Sequence, residues 1–266
     1  MSTYPDTSSK VTLAALARKK RQGEKISMLT AYDYPLALLV DRSGVDLVLV
    51  GDSLGMEELG FETTLPVTMD IMLHHTQAVR RGTHRALLVA DLPFLSYQVN
   101  ADEAMRNAGR LLQEGGAEAV KLEGGTAIAP TIKRVVSAGI PVMGHIGFTP
   151  QSVHLLGVRK QGKDEAGAAQ VLADAQAVQD AGAFAVVLEL IPEELARQVT
   201  AALSIPTIGI GAGPSCDGQV LVTSDLLGLR PERPVLKHVR RYAQIGTTIA
   251  DALTAYRKDV ADAKFP

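Results

Sequence analysis

Eight short runs of aliphatic residues recur along this chain, separated by stretches with helical patterns. Each run has the length of a buried strand. Strands that alternate with helices form parallel sheets, and eight such units favour a closed (β/α)8 barrel (a TIM barrel) over an open doubly wound sheet. The runs are Ile26–Thr30, Asp46–Val50, Ala86–Ala90, Glu118–Leu122, Ile140–Gly144, Phe184–Leu188, Ile205–Ile210 and Gln219–Thr223.

The composition agrees with such a barrel, because 46% of the residues are hydrophobic but only 4% are aromatic and none is Trp. A core of Val, Ile, Leu and Ala is typical of parallel strands covered on both faces. We predict a single domain over residues 1–266 with a flexible arm at 1–10. An extra N-terminal helix is expected over Val11–Gln22, with solvated cations at Arg18–Arg21. The tail, Val235–Ala261, is expected to be a helix packed outside the barrel or at a subunit contact.

Charge and cysteine content argue against several classes of protein. The 27 basic and 29 acidic residues give a net charge of -2, without the basic excess of a nucleic-acid binder. No apolar run approaches the roughly 18 residues of a membrane span, and the polar first ten residues show no secretory signal. The single cysteine, Cys216, cannot form an internal disulfide, so we expect a cytoplasmic protein.

Five consecutive runs end in an ionisable residue. The active site of a (β/α)8 barrel lies at the carboxyl ends of its strands, so these side chains should converge on one rim. Several carboxylates in a small apolar mouth are costly unless a cation or a substrate compensates them, which favours a functional site. In strand order the residues are Asp52, Asp91, Glu123, His145 and Glu189.

Asp52, Asp91 and Glu123 offer oxygen ligands without a thiolate, which indicates Mg²⁺ or a similar cation rather than Zn²⁺. Since Mg²⁺ commonly takes only one or two carboxylates, one of the three could act through water. The alternative is that these acids merely cap strand or helix ends.

Three residues keep more than one interpretation. Lys121 shares a strand face with Glu123 and should lie one layer deeper, where it would pair with a substrate carboxylate or only with Glu123 and Asp91. Glu189 is either a general base or a helix-capping acid. His145 is a ligand, an acid, a hydrogen-bond donor or simply a structural residue.

Two further motifs give weaker signals. The segment Gly209–Gly213 is not a dinucleotide fingerprint, because Pro214 stands where a Gly or Ala is needed. It is either a phosphate-binding loop or a tight turn that lets a ligand approach the backbone. His74 and His75 would lie 100° apart on a helix, so we interpret them as structural or surface residues.

An ordered set of motifs spans roughly Lys10 to Ala243 and resembles the ketopantoate hydroxymethyltransferase family. The motifs are Thr30-Ala31-Tyr32-Asp33-Tyr34, Val50-Gly51-Asp52-Ser53-Leu54-Gly55-Met56, Thr64-Leu65-Pro66-Val67-Thr68, Ala90-Asp91-Leu92-Pro93-Phe94, Lys121-Leu122-Glu123-Gly124-Gly125, Gly144-His145-Ile146-Gly147, Thr149-Pro150-Gln151-Ser152-Val153, Glu189 and Ile208-Gly209-Ile210-Gly211-Ala212-Gly213.

The resemblance implies a barrel of the phosphoenolpyruvate mutase and isocitrate lyase superfamily that assembles as a homodecamer. It implies transfer of a hydroxymethyl group from 5,10-methylenetetrahydrofolate to 3-methyl-2-oxobutanoate, through a Mg²⁺-stabilised enolate, in pantothenate biosynthesis. The metal ligands of the family match Asp52 and Asp91, with Glu123 as an outer contact, and its base matches Glu189. The implied substrate contacts are Asp52, Ser53, Asp91, Lys121 and the pocket residue His145.

The chain departs from the family at His154, where Asn is common, and over Gly157–Gly162, where the family has a Gly-Gly pair and one further residue. The loop 154–162 matches the lid and folate edge of the site. Two rival interpretations remain: a superfamily relative that acts on another 2-oxo acid without folate, and a non-catalytic barrel. Such relatives usually carry a Cys or Ser on a mobile loop, and Cys216 is in the wrong place for that.

Overall fold

The computed structural model describes residues 9–232 and 234–266, and it confirms the (β/α)8 barrel. In these residues eight parallel strands pair in chain order and close on themselves. They are Ile26–Thr30 (β1), Leu47–Val50 (β2), Leu87–Asp91 (β3), Ala119–Glu123 (β4), Val142–Gly147 (β5), Ala185–Glu189 (β6), Thr207–Ile210 (β7) and Gly218–Leu221 (β8).

Five of the helices in the described residues begin directly after a side-chain cap. Asn100, for example, accepts a hydrogen bond from the Glu103 amide at 2.8 Å, and α5 starts at the next residue. No helix of the described residues is both long and apolar enough to cross a membrane. The helices are Leu13–Gln22 (α1), Tyr34–Arg42 (α2), Leu54–Glu57 (α3), Met69–Gly82 (α4), Ala101–Gln113 (α5), Ala129–Ser137 (α6), Val153–Leu156 (α7), Glu165–Asp180 (α8), Glu193–Ala202 (α9), Thr223–Leu227 (α10) and Ile245–Ala261 (α11), with a 3-10 turn at Pro150–Ser152.

The chain divides into two compact units, Met1–Val220 and Leu221–Pro266. The single domain over residues 1–266 therefore stays a prediction. Of the predicted flexible arm, residues 1–8 lie outside the described residues. Lys10 is held in place, because its ammonium lies 2.7 Å from the Ala86 carbonyl and 2.5 Å from a Glu118 carboxylate oxygen.

Side chains of the strands alternate between the barrel interior and the layer of helices outside it. In β4, Val120 and Leu122 pack in the cluster between strands and helices, whereas Ala119 packs in the interior cluster. The alternation therefore places Lys121 and Glu123 inside the barrel, with Lys121 one layer below the rim, as predicted.

Helix α1 contributes to the interior cluster through Leu16 and is fixed by two ion pairs. Lys19 Nζ lies 2.7 Å from Asp46 Oδ1, and Lys20 Nζ lies 2.6 Å from Asp217 Oδ2. The expectation that these two lysines are solvated is wrong, because they neutralise carboxylates that stand before β2 and β8.

In the C-terminal unit the predicted helix over Val235–Ala261 begins too early, since α11 starts at Ile245. The preceding backbone bonds to the end of α10 instead of continuing a helix. The Tyr242 amide donates to the Leu226 carbonyl at 2.8 Å, and the Gly246 amide donates to the Gly228 carbonyl at 3.1 Å.

Candidate active site at the carboxyl end of the barrel

The barrel mouth joins the strand-end residues into one series of contacts. The Asp52 amide donates to Asp91 Oδ2 at 3.1 Å. Lys121 Nζ lies 3.0 Å from Asp91 Oδ1 and 4.0 Å from Glu123 Oε1. The register brings them together, because Asp91 of β3 lies beside Lys121 of β4.

His145 continues the series towards Glu189. Its Nδ1 lies 3.3 Å from Glu123 Oε1, and its Nε2 lies 3.1 Å from Glu189 Oε2. Lys121 Nζ is 3.2 Å from the same Nδ1. Strand register again explains the contacts, since Glu123 pairs with His145 across β4 and β5. All five predicted strand-end residues are therefore assembled at one rim, and His145 links Glu189 to the deeper acids.

Burial and neighbouring charges shift the pKa values of the acids in different directions. Burial raises the pKa of Asp52 well above its usual range, and the charges of Asp91 and Glu123 raise it further. Burial would also raise the pKa of Glu123, but His145 and Lys121 outweigh it and hold this pKa below its usual value. Glu123 is thus the acid that the bases keep ionised.

The two bases are cations at neutral pH. Burial lowers the pKa of Lys121, but the charges of Asp91 and Glu123 outweigh burial and raise this pKa above its ordinary value. Burial and the Lys121 charge lower the pKa of His145, but its contacts with Glu123 and Glu189 raise it to about 9. Four acids thus face two cations, which leaves an excess of negative charge when every acid is ionised.

Glu189 differs from the other acids in its access to solvent, because its side chain is 17% exposed whereas that of Glu123 is 3% exposed. The interpretation of Glu189 as a helix cap is wrong. Pro192 directly precedes α9, and no side chain in the described part of the chain caps this end. Leu190 has a φ of 46°, so the chain turns sharply directly after the carboxylate.

Ser53 is held by Tyr32, a residue that follows β1. The hydroxyl oxygens of Ser53 and Tyr32 are 2.8 Å apart. Burial raises the pKa of Tyr32 far above its usual value, so the phenol stays protonated. His75 Nδ1 lies 2.7 Å from the Tyr32 carbonyl, so of the two interpretations, structural or surface, the structural one applies to this histidine.

Two buried residues of the mouth were missed in the sequence, Tyr97 and Gln151. The Gln151 side chain donates to Asp52 Oδ2 at 2.8 Å, and its backbone amide donates to Glu123 Oε2 at 2.9 Å. The Tyr97 hydroxyl donates to Gln151 Oε1 at 2.7 Å. Neither residue is an acid, and neither ends a strand. Only Gln151 could have been found in the sequence, because it lies in one of the motifs that resemble the family.

The donor set of the mouth is compatible with Mg²⁺. No group of three or more His, Cys, Asp or Glu side chains among the described residues is arranged as a metal cluster. Lys121 Nζ occupies part of the space between Asp91 and Glu123. However, Asp91 Oδ1 and Glu123 Oε1 are shielded from solvent and accept no hydrogen bond of good geometry in the described part of the chain. Mg²⁺ needs only one or two carboxylates beside water and substrate oxygens, so the residues fit such an ion.

Two loops border this rim. In the loop 154–162, the Gln161 amide donates to the Leu190 carbonyl at 2.9 Å, which ties the loop to the residue after Glu189. Gly211 and Gly213 have φ values of 64° and 82°, so Gly209–Gly213 contains the tight turn that was one of its two interpretations. Phosphate binding there stays a prediction.

The sequence of this chain is similar to those of known enzymes. The family model of ketopantoate hydroxymethyltransferase matches residues 10–266. A 3-methyl-2-oxobutanoate hydroxymethyltransferase of Moorella thermoacetica is 59% identical over 97% of this chain and 96% of its own length. The enzyme of that name from Chloroflexus aurantiacus is 57% identical over 97% of this chain and 91% of its own length.

Solved structures with the same fold are more distant in sequence. A phosphonopyruvate hydrolase in complex with oxalate and Mg²⁺ has a TM-score of 0.60 at 14% identity and covers 94% of this chain and 86% of its own. A 2,3-dimethylmalate lyase of the PEP mutase/isocitrate lyase superfamily has a TM-score of 0.59 at 16% identity, with 94% and 88% covered. These likenesses support the barrel fold.

Proposed function

The chain belongs to the ketopantoate hydroxymethyltransferase family, and we propose that the residues at its barrel mouth form ketopantoate from 3-methyl-2-oxobutanoate. The observation that carries the proposal is the unbroken series of contacts from Asp52 to Glu189 at the rim of the barrel. This series brings together carboxylates that can bind a metal ion, the side-chain cations Lys121 and His145, and the more accessible carboxylate of Glu189.

Lys121 and His145 balance charge in this scheme. The Lys121 ammonium is buried among acids, and a negatively charged 2-oxo acid above it would be attracted to the same charge. Ser53, fixed by its contact with Tyr32, supplies a hydroxyl to the substrate. These contacts orient the substrate before any bond changes.

Asp52 and Asp91 would hold Mg²⁺, with Glu123 as the outer contact. When bound, the ion supplies Lewis-acid stabilisation of the charge that develops on the oxo acid. The support lies in the oxygen-only donors and in the excess of acids over bases. A phosphonopyruvate hydrolase of similar fold, in complex with oxalate and Mg²⁺, offers an analogy for a barrel that binds both a divalent cation and a small diacid.

Glu189 takes the proton from C3 of 3-methyl-2-oxobutanoate. Its Oε2 lies beside the His145 cation, which holds the carboxylate in place and leaves the other oxygen for the proton. The carbon then bonds to the one-carbon unit of 5,10-methylenetetrahydrofolate, and addition of water releases ketopantoate and tetrahydrofolate. The loop 154–162, tied to Leu190, is proposed as the folate edge of the site.

The proposal extends to the setting of the enzyme. We infer a cytoplasmic homodecamer that acts on small molecules and has no nucleic-acid or membrane partner. The charge balance and the single cysteine support this setting. The apolar residues exposed along α11 support a subunit contact there, and they are Ile249, Leu253, Tyr256 and Val260.

The decisive experiment is an assay of the purified chain with 3-methyl-2-oxobutanoate, 5,10-methylenetetrahydrofolate and Mg²⁺, with ketopantoate measured by mass spectrometry. We expect product only when all three are present. Consumption of a 2-oxo acid without folate would favour a lyase or mutase of the superfamily instead. Absence of turnover under every condition would favour the non-catalytic barrel.

A further inference from the structure

Gln151 is a buried amide whose hydrogen-bonding capacity is fully used at the mouth. Its Nε2 donates to Asp52 Oδ2 at 2.8 Å and to the Leu92 carbonyl at 2.9 Å. Its Oε1 accepts from the Tyr97 hydroxyl at 2.7 Å and from Gln98 Nε2 at 3.1 Å. An amide has two donor hydrogens and two acceptor positions, so all four are engaged.

These partners also fix the orientation of the amide. A flipped amide would set its oxygen against Asp52 and the Leu92 carbonyl, which are both acceptors, and its nitrogen against the donors Tyr97 and Gln98. Because Gln151 is only 5% exposed, water cannot replace the lost bonds. The donor that faces Asp52 is therefore built into the fold.

The same residue holds a second acid. The Gln151 backbone amide donates to Glu123 Oε2 at 2.9 Å, so one residue contacts carboxylates that follow β2 and end β4. Tyr97 extends this arrangement, because its hydroxyl also accepts from the Glu123 amide at 3.2 Å. Asp52 and Glu123 thus share one rigid hydrogen-bonded support.

We propose that Gln151 is a positioning residue that sets the Asp52 carboxylate for cation binding, with Tyr97 holding Gln151 in place. The proposal rests on the proposed cation site of the enzyme. A donor on Oδ2 fixes the plane of the Asp52 carboxylate and leaves its other oxygen for the ion. Groups that hold metal ligands in this way typically change metal affinity about 10–100-fold when removed.

The test is a titration of the full-length protein with Mn²⁺, followed by electron paramagnetic resonance, without substrate or folate. Gln151→Met keeps the length of the side chain and the backbone bond to Glu123 but removes the amide. We expect it to weaken Mn²⁺ binding about 10–100-fold. Tyr97→Phe, which keeps the Gln151 donors, should weaken binding by a smaller factor.

The matched control is Gln179→Met. Gln179 also uses its amide oxygen fully, accepting from the Ser204 amide at 2.6 Å and the Ser204 hydroxyl at 3.0 Å, but it belongs to α8 and not to the mouth. It should lower the melting temperature while leaving Mn²⁺ affinity within about twofold of the wild type, well below the change expected for removal of a ligand support. The comparison separates positioning from general loss of stability.

Mn²⁺ affinity of Gln151→Met equal to that of the control would overturn the inference, even in an enzyme that makes ketopantoate. Failure of the wild type to bind Mn²⁺ would overturn it as well. Weakened Mn²⁺ binding in Gln151→Met supports it, including the case in which the wild type makes no ketopantoate and only the proposed function fails.

Discussion

Glu189 is the most solvent-exposed acid of the mouth, and His145 connects it to the buried acids. Its position between solvent and an imidazolium suits a base that must meet the substrate and afterwards return the proton. The neighbouring imidazolium orients the Glu189 carboxylate through a contact of 3.1 Å. At the scale of single residues, the proposed chemistry therefore depends on this one contact.

Replacing Glu189 by Gln tests this role. The amide keeps the shape of the side chain but cannot take a proton, so exchange of the C3 hydrogen of 3-methyl-2-oxobutanoate with D₂O should fall at least about 100-fold. Proton NMR of the substrate measures the exchange, and calorimetry with Mg²⁺ should show that the oxo acid still binds. The matched control is Glu194→Gln, since Glu194 is an exposed acid of α9. This variant should catalyse exchange of the C3 hydrogen at the wild-type rate.

Exchange at the wild-type rate in Glu189→Gln would remove Glu189 as the base. Loss of oxo-acid binding in the same variant would mean that the carboxylate holds the substrate rather than its proton.

The sequence predicted the acids and the imidazole of the mouth because each ends an aliphatic run, and strand ends of a barrel meet at one rim. It could not predict Gln151, whose contact with Asp52 joins residues 99 positions apart. A neutral amide in a short 3-10 turn carries no charge and no periodic signal, and its role arises only when the segment after β5 folds over the mouth.

Among elements, the close approach of β5 to the end of β6 depends on Gly147. This residue has a φ of 91°, and a methyl group there would lie 2.3 Å from the carbonyl oxygen of Glu189. Neither the backbone conformation nor the space permits a side chain. Gly147 therefore sets the path of the backbone that carries the base.

Gly147→Ala should consequently displace Glu189 and destabilise the fold by at least about 1 kcal/mol. Thermal unfolding measures the stability, and the rate of C3 hydrogen exchange in D₂O shows whether Glu189 still acts as a base. Gly109→Ala is the control, because Gly109 lies in α5 and, apart from its chain neighbours and the nearby backbone of that helix, no atom of the described residues lies within 4 Å of an added methyl group. It should stabilise the helix by about 0.5–1 kcal/mol and leave exchange unchanged. Equal effects of the two substitutions would contradict the role given to Gly147.

Element boundaries were predictable where local signals agree. Gly23 ends α1 in a left-handed turn as predicted, whereas the helix starts at Leu13 after the Thr12 cap and not at the predicted Val11. The stretch before α11 had helical composition, yet its backbone bonds to α10 instead, a tertiary effect that periodicity cannot show. The ion pairs of Lys19 and Lys20 are likewise contacts between distant segments.

For the whole molecule, the strongest untested expectation is its assembly. Helix α11 has no buried residue and exposes apolar side chains at a helical spacing, with Leu253 63% and Tyr256 54% exposed. An apolar stripe of this kind is stabilised when another surface covers it. We expect a homodecamer of about 280 kDa, ten times the 28.2 kDa of one chain, and native mass spectrometry measures it directly.

Leu253→Glu places a charge in the stripe and should lower the measured mass without loss of helix content, because a buried interface does not accept an unpaired carboxylate. Asp251→Lys changes the charge on the opposite side of α11 and should leave the assembly intact. A wild-type mass of one chain would contradict the decamer. An unchanged mass in Leu253→Glu would instead place the subunit contact away from α11, and the exposed stripe would then need another partner.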